Sequence, residues 1–197
     1  YLRHGSDGFA YDPIIGSGAN ACVLHYLEND GTCEDGEMLL MDVAARYANY
    51  NSDLTRTVPV NGRFSARQRA VYNAVLRTMR ACSEMLRPGV ILKDYQEEVG
   101  KLIESELLDL ELITKKDIED QDPEKPAYKK YFMHGTSHHM GLDVHDLGDT
   151  WRPVEEGMVF TIEPGIYIRE ENLGCRLENN YLIGKEGNVD LMATIPV

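Results

Sequence analysis

Along the chain the spacing of apolar positions shifts from strand-like to helix-like and back. Residues 1–27 carry glycines at Gly5, Gly8, Gly16 and Gly18 and the apolar stretch Cys22-Val23-Leu24, which reads as loop and strand. Gly36-Glu37 then opens a strand predicted over 38–45. A polar turn covers 47–52, and a second strand over 54–60 runs to Asn61-Gly62, so the two form a hairpin. From Ser65 the period lengthens. Ser65 and Gln68 have capping-box spacing, and Val71, Val75, Met79, Cys82 and Leu86 return on one helical face until Pro88-Gly89. A second helix is predicted from Asp94, with Glu97 in the matching position and Leu102, Ile103, Leu107 and Leu110 as its buried stripe. Residues 114–130 are polar, contain Pro123 and Pro126, and read as a surface loop. An irregular His/Gly/Asp segment spans 134–148, and a last pair of strands is predicted over 158–165 and 175–183.

These segments contain a weak internal repeat. Gly36 to Asp42 and Gly157 to Glu163 each place an acid six residues after a glycine, behind an apolar strand, and a second acid follows on the returning strand. The pattern predicts two related strand-hairpin halves around one site, with helices packed outside the sheet in a single α+β domain.

Acids rarely end buried strands, because desolvating an unpaired carboxylate costs several kcal/mol. In the expected registers Asp42 lies across from Asp53 and Glu163 across from Glu178. Like charges directly opposite are destabilising, so two such pairs in one domain call for cations between them. Four carboxylates match the charge of two divalent ions, and His138 is the candidate imidazole. Such an oxygen-rich set suits manganese, iron, cobalt or zinc better than a thiolate-selecting metal. Taken singly, each acid reads equally well as a solvated or capping residue; four together do not.

Charge and composition narrow the classes further. The 197 residues hold 33 Asp and Glu against 20 Lys and Arg, a net charge of −13, which leaves no basic face for nucleic acid. No apolar run approaches the roughly 20 residues that cross a bilayer. Cys22, Cys33, Cys82 and Cys175 show no metal-knuckle spacing and read as reduced packing residues of a cytoplasmic protein. The chain opens mid-pattern at Tyr1-Leu2-Arg3-His4-Gly5, as a piece of a longer protein would.

Several stretches together carry a family resemblance: residues 15–26, Asp42 with Ser52-Asp53-Leu54-Thr55-Arg56-Thr57, residues 134–146, Thr161-Ile162-Glu163-Pro164-Gly165-Ile166-Tyr167, and Arg176-Leu177-Glu178-Asn179-Asn180. In this order, over nearly the whole chain, they resemble the catalytic domain of aminopeptidase P and the related prolidases. The resemblance implies the pita-bread fold, a pseudo-twofold antiparallel sheet with outer helices, here without its first helices and N-terminal domain. It also implies a dinuclear metallopeptidase cutting the bond before proline, with manganese as the expected ion and cobalt, zinc or iron as alternatives. Carried over by position, Asp42 would chelate one ion, Asp53 and Glu178 would bridge both, and His138 and Glu163 would bind the other. Glu163 would shuttle the proton that the tertiary proline nitrogen needs in order to leave. His145 and His134 would stabilise the intermediate and line the proline pocket, with His25 at the substrate rim, Tyr167 in the substrate site and Arg176 paired with a bridging acid. Peptides beginning Xaa-Pro would be the substrates and a dimer or tetramer the full-length state. Prolidase activity is the nearest alternative. Methionine aminopeptidase shares the ligand set but not the Asp143-Val144-His145-Asp146 context, and a non-catalytic scaffold would not need all five ligands.

Overall fold

The structure, a computed structural model, describes all of residues 1–197. The first half is a hairpin with two added edges. β1 (Gly8–Phe9) and β2 (Ile14–Ser17) precede β3 (Met38–Asp42), where Met38, Leu40 and Asp42 face inward. The chain continues through β4 (Ala45–Tyr47) and β5 (Tyr50–Asn51) to β6 (Thr55–Pro59). β2, β3 and β6 form one antiparallel sheet, and β1, β4 and β5 another. The tip is a two-residue turn, Ala48-Asn49, with both residues at positive φ, as the twist of flanking strands requires. The short 3₁₀ turn Gly18–Cys22 replaces the strand expected at residue 22.

α1 (Ala66–Met85) starts with the predicted capping box: Gln68 N donates to Ser65 Oγ, and the Gln68 side chain accepts from Ser65 N. Its stripe Val71, Val75, Met79, Cys82 and Leu86 is fully buried, against α2 and the sheet of the second half. Asn188 closes its far end by donating to the carbonyls of Ser83 and Leu86. α2 (Leu92–Asp109) begins two residues before the expected cap, and Asp94 merely sits in its first turn. The preceding chain is held in extended form by bonds from Gly89 N to Val154 O and from Val154 N to Val90 O and by the bridge from Ile91 to Pro153, so the helix starts where that pairing ends. Its buried face is Leu92, Tyr95, Val99, Ile103 and Leu107, with Leu102 only half-buried. The supposed loop after it contains a third helix, α3 (Lys115–Glu119), capped reciprocally by Thr114 and Asp117, and a 3₁₀ turn at Ala127–Lys130.

β7 (Val159–Ile162), β8 (Gly165–Ile168), β9 (Leu173–Arg176) and β10 (Asn179–Leu182) make the second hairpin, with β11 (Val189–Asp190) added beside β10. Ile162 opposes Asn179 and Gly165 opposes Arg176, so the predicted register of Glu163 with Glu178 holds. In the first hairpin Asp42 opposes Thr55 instead, which moves Asp53 two residues along, to the diagonal position on the same face. Three of the four expected strands are thus split into two short ones, whereas 54–60 is β6 alone and β5 falls within the expected turn. Asp42 ends β3, and Asp53, Glu163 and Glu178 occupy the breaks between strands.

The halves join along β6. Glu178 N donates to Thr55 O at 3.1 Å, Thr57 Oγ1 donates to Arg176 O at 2.8 Å, and the Asn180 side chain bonds both N and O of Asp53. Gly174 permits this approach, since a Cβ there would fall 2.1 Å from the Ala21 carbonyl oxygen. Of the cysteines, Cys22, Cys82 and Cys175 are packing residues as expected, whereas Cys33 is exposed. No helix is long and apolar enough to cross a membrane.

Candidate metal centre

The strand breaks aim the acids into one cavity of about 310 Å³, whose lining includes Asp42, Asp53, His138, Glu163 and Glu178. Ligand atoms of Asp53, His138 and Glu178 all lie within 4.8 Å of one another. His138 Nε2 is 3.5 Å from both Asp53 Oδ2 and Glu163 Oε1. Its Nδ1 meets the His139 carbonyl at 3.0 Å, which assigns the proton to Nδ1 and leaves the Nε2 lone pair for a cation.

Neighbours fix the carboxylates from behind. Glu178 Oε2 accepts from Thr55 Oγ1 at 2.7 Å, while its Oε1 is buried with no partner. Arg176 is 3% exposed, and its Nη2 donates to Asp42 Oδ2 at 2.6 Å. The expected pairing with a bridging acid therefore falls on Asp42 instead, and Arg176 reaches Glu178 only through Thr55, to which its Nε donates. Tyr11, unmarked by any periodicity or motif in the sequence, sets its hydroxyl between Asp42 and, at 2.5 Å, Asp53, with one proton to share between the two acids.

His134, His145 and His25 line the same cavity. Tyr167 does not; it is buried behind the wall, where its hydroxyl accepts from Arg176 Nη1 at 2.9 Å and meets His134 Nε2 at 2.8 Å. With His134 Nδ1 against the Gly135 carbonyl, the network Arg176 to Tyr167 to His134 holds a neutral imidazole. Burial, reinforced by the Arg176 guanidinium, pulls the His134 pKa down to about 4. His145 is exposed, and its ring packs edge-on against His138 at 4.4 Å.

Without ions the cluster is electrostatically unfavourable. Burial lifts the Glu178 carboxyl well above its usual range, and Asp53, Glu163 and Asp42 add to this. Burial also raises Asp42 despite Arg176, and pushes Glu163 up to about 8 against the pull of Arg176. On His138 burial acts downward, but Asp53 and Glu163 outweigh it and the net shift is upward. The partnerless Glu178 oxygen, the raised acids and the free Nε2 all fit two divalent cations bound by hard oxygen donors and one imidazole.

A pH dependence follows. An acid whose folded pKa exceeds its unfolded one keeps in the folded state a proton that the unfolded chain has released, so stability declines as pH rises between the two values. For Glu163 that window runs from about 4.5 to about 8. His138, also raised, acts in the same direction, and the opposing gain from His134 is complete by about pH 6.5. Metal-free protein should therefore lose melting temperature between pH 6.5 and 8, and manganese should abolish the slope. A flat or rising metal-free profile in thermal melts would contradict this electrostatic picture.

Residues 1–185 match the sequence profile of metallopeptidase family M24. The chain belongs to this family. Among M24 relatives, the Xaa-Pro aminopeptidase of Haemophilus influenzae is 42% identical over 100% of this chain and 48% of its own length. That of Escherichia coli is 38% identical over 99% and 46%, and human Xaa-Pro aminopeptidase 3 is 39% identical over 98% and 39%. The solved low-pH form of E. coli aminopeptidase P superposes with a TM-score of 0.92 at 37% identity, covering 99% of this chain and 47% of that one. The same enzyme with the inhibitor Pro-Leu gives the same values. The M24 chain described here thus has the α+β pita-bread fold and spans about half the length of the curated relatives it matches.

Proposed function

We propose that the protein carrying this chain is a dinuclear, manganese-dependent Xaa-Pro aminopeptidase. The observation that carries the reading is the convergence of four carboxylates and a correctly oriented imidazole on one cavity, with a buried Glu178 oxygen left partnerless. Asp42 would hold one ion, His138 and Glu163 the other, and Asp53 and Glu178 both. Two bound divalent ions supply an acidified water and a polarised scissile carbonyl. Glu163 is suited to proton transfer, because its Oε2, 3.8 Å from His134 Nδ1, is the oxygen not turned toward His138. It would take the water's proton and deliver it to the proline nitrogen, which has no hydrogen of its own and must gain one to depart. His145 lines the cavity where the oxygen of a tetrahedral intermediate would need a donor, His134, with both ring nitrogens engaged by Gly135 and Tyr167, would wall the proline side, and His25 stands at the rim. Tyr167 and Arg176 would act through His134 and Asp42.

One feature favours the aminopeptidase over the dipeptidase. A larger groove of about 980 Å³ begins at His134 and Gly135 and runs along α2 past Gln96 and Gly100 to Tyr128, leaving room for residues beyond the proline. The exposed Cys33 thiol fits a cytoplasmic location. Leu142, Leu147 and Trp151, exposed around the loop that carries His145, fit a homo-oligomer. The reading is tested by giving manganese-loaded full-length protein Ala-Pro-Ala and Ala-Pro and following free alanine. Release from the tripeptide, faster by roughly tenfold or more, is expected. Release from Ala-Pro alone would identify a dipeptidase, and no release with two ions bound would leave a binding module.

A further inference from the structure

Beside the metal cavity lies a second one, of about 350 Å³, that shares His25, Asp42, Asp53 and His145 with it. Ile14, Leu27, Val144 and the ring of Tyr11 give it apolar walls, and Asp12 adds one carboxylate. Ile14 is buried, whereas Asp12 is exposed and enters none of the fold's salt bridges.

Resting on the aminopeptidase reading, we propose that this cavity seats the side chain of the substrate's first residue, and that Asp12 makes it select basic and apolar residues against acidic ones. The direction of the substrate follows from room. One residue precedes the scissile bond, and the cavity of about 350 Å³ beside Tyr11 has space for one side chain. The proline and the residues that follow need the long groove that begins at His134 and Gly135. The side chain next to the ammonium then enters the cavity walled by Ile14, Leu27 and Val144, whose volume admits long unbranched chains. With ions bound, the charges of Asp42 and Asp53 are matched, and Asp12 is the lining acid whose charge still acts on the incoming side chain. Lys and Arg can lay their methylenes along the apolar wall and bring their charge to Asp12. A Glu side chain would meet that carboxylate at close range, under the overall field of a chain with net charge −13.

The test is a comparison of kcat/KM for Lys-Pro-Ala, Leu-Pro-Ala and Glu-Pro-Ala with the manganese-loaded full-length protein and its Asp12→Lys and Asp12→Asn variants, each first shown to bind two ions. The parent should favour Lys and Leu over Glu by roughly two- to fivefold, the scale of one solvent-exposed charge contact. Asp12→Lys should invert the order of Lys and Glu, and Asp12→Asn should bring their ratio close to one. Equal use of Lys and Glu by the parent, or a ratio that survives both substitutions, overturns the inference while leaving the aminopeptidase reading intact. Failure to cleave any of the three peptides with both ions bound removes that reading and this inference with it.

Discussion

Glu178→Gln is expected to raise the thermal stability of the metal-free protein and to destroy its response to manganese. The side chain is 1% exposed, with one oxygen on Thr55 and the other on nothing, and burial together with three neighbouring acids disfavours its charge. An amide of the same shape keeps the Thr55 contact and removes that cost, a gain on the order of 1–3 kcal/mol at neutral pH. For a chain of this size the melting temperature should climb by about 2–4 °C per kcal/mol. In manganese the order should reverse. Each ion present at a hundred times its dissociation constant stabilises the folded state by about 2.7 kcal/mol, and the variant forfeits most of this for want of a bridging charge. Activity should fall by roughly a thousandfold or more, as expected for loss of a group on which the paired site depends. Asp53→Ala should act alike, whereas His145→Ala should retain both ions and lose turnover only. Melting curves in chelator and in manganese, with ion stoichiometry, decide the matter. A variant less stable than the parent in chelator would show that the acids do not repel one another there.

That repulsion also explains where the sequence was readable and where it was not. The second hairpin has the register its alternation and polar turn predict, and Glu163 and Glu178 do lie across from each other. The first slips by two residues, because its turn is the pair Ala48-Asn49 rather than a longer polar stretch. In the resulting register the Thr55 hydroxyl opposes Asp42 and Asp53 moves to the diagonal, avoiding like charges face to face. The stripe of α1 was legible because one side of a regular helix is buried along its whole length. The start of α2 was not, because it is set by a distant bridge between Ile91 and Pro153. The reciprocal cap of Thr114 and Asp117 was present in the sequence but masked by the polarity around it. Tyr11 left no local trace: its role arises only when β2 pairs with β3 and brings the preceding turn over Asp42 and Asp53. A hydroxyl between two acids is a tertiary fact, and no spacing encodes it.

The same reasoning assigns the largest structural effect to Arg176. Its guanidinium is the one cation among the buried charged residues, and it donates at once to Asp42, Tyr167 and Thr55. Arg176→Met keeps the bulk but leaves the buried Asp42 carboxylate without its cation, and removing one partner of such a pair costs about 3–5 kcal/mol. In chelator the variant should melt on the order of 10 °C below the parent. Arg176→Lys should recover only part of the loss, since a point charge cannot engage three partners spread around a planar fork. Manganese should narrow the gap, because ions held by Asp42, Asp53 and Glu178 supply the positive charge that the side chain no longer does. Turnover should stay depressed even then: without Arg176 Nη1, the Tyr167 hydroxyl loses the donor that orients it toward His134. Thermal melts of the three proteins with and without manganese separate the two roles. If Arg176→Met melts within about 2 °C of the parent in chelator, the guanidinium is not what holds the acids together, and the cost of gathering them must be met by protonation alone.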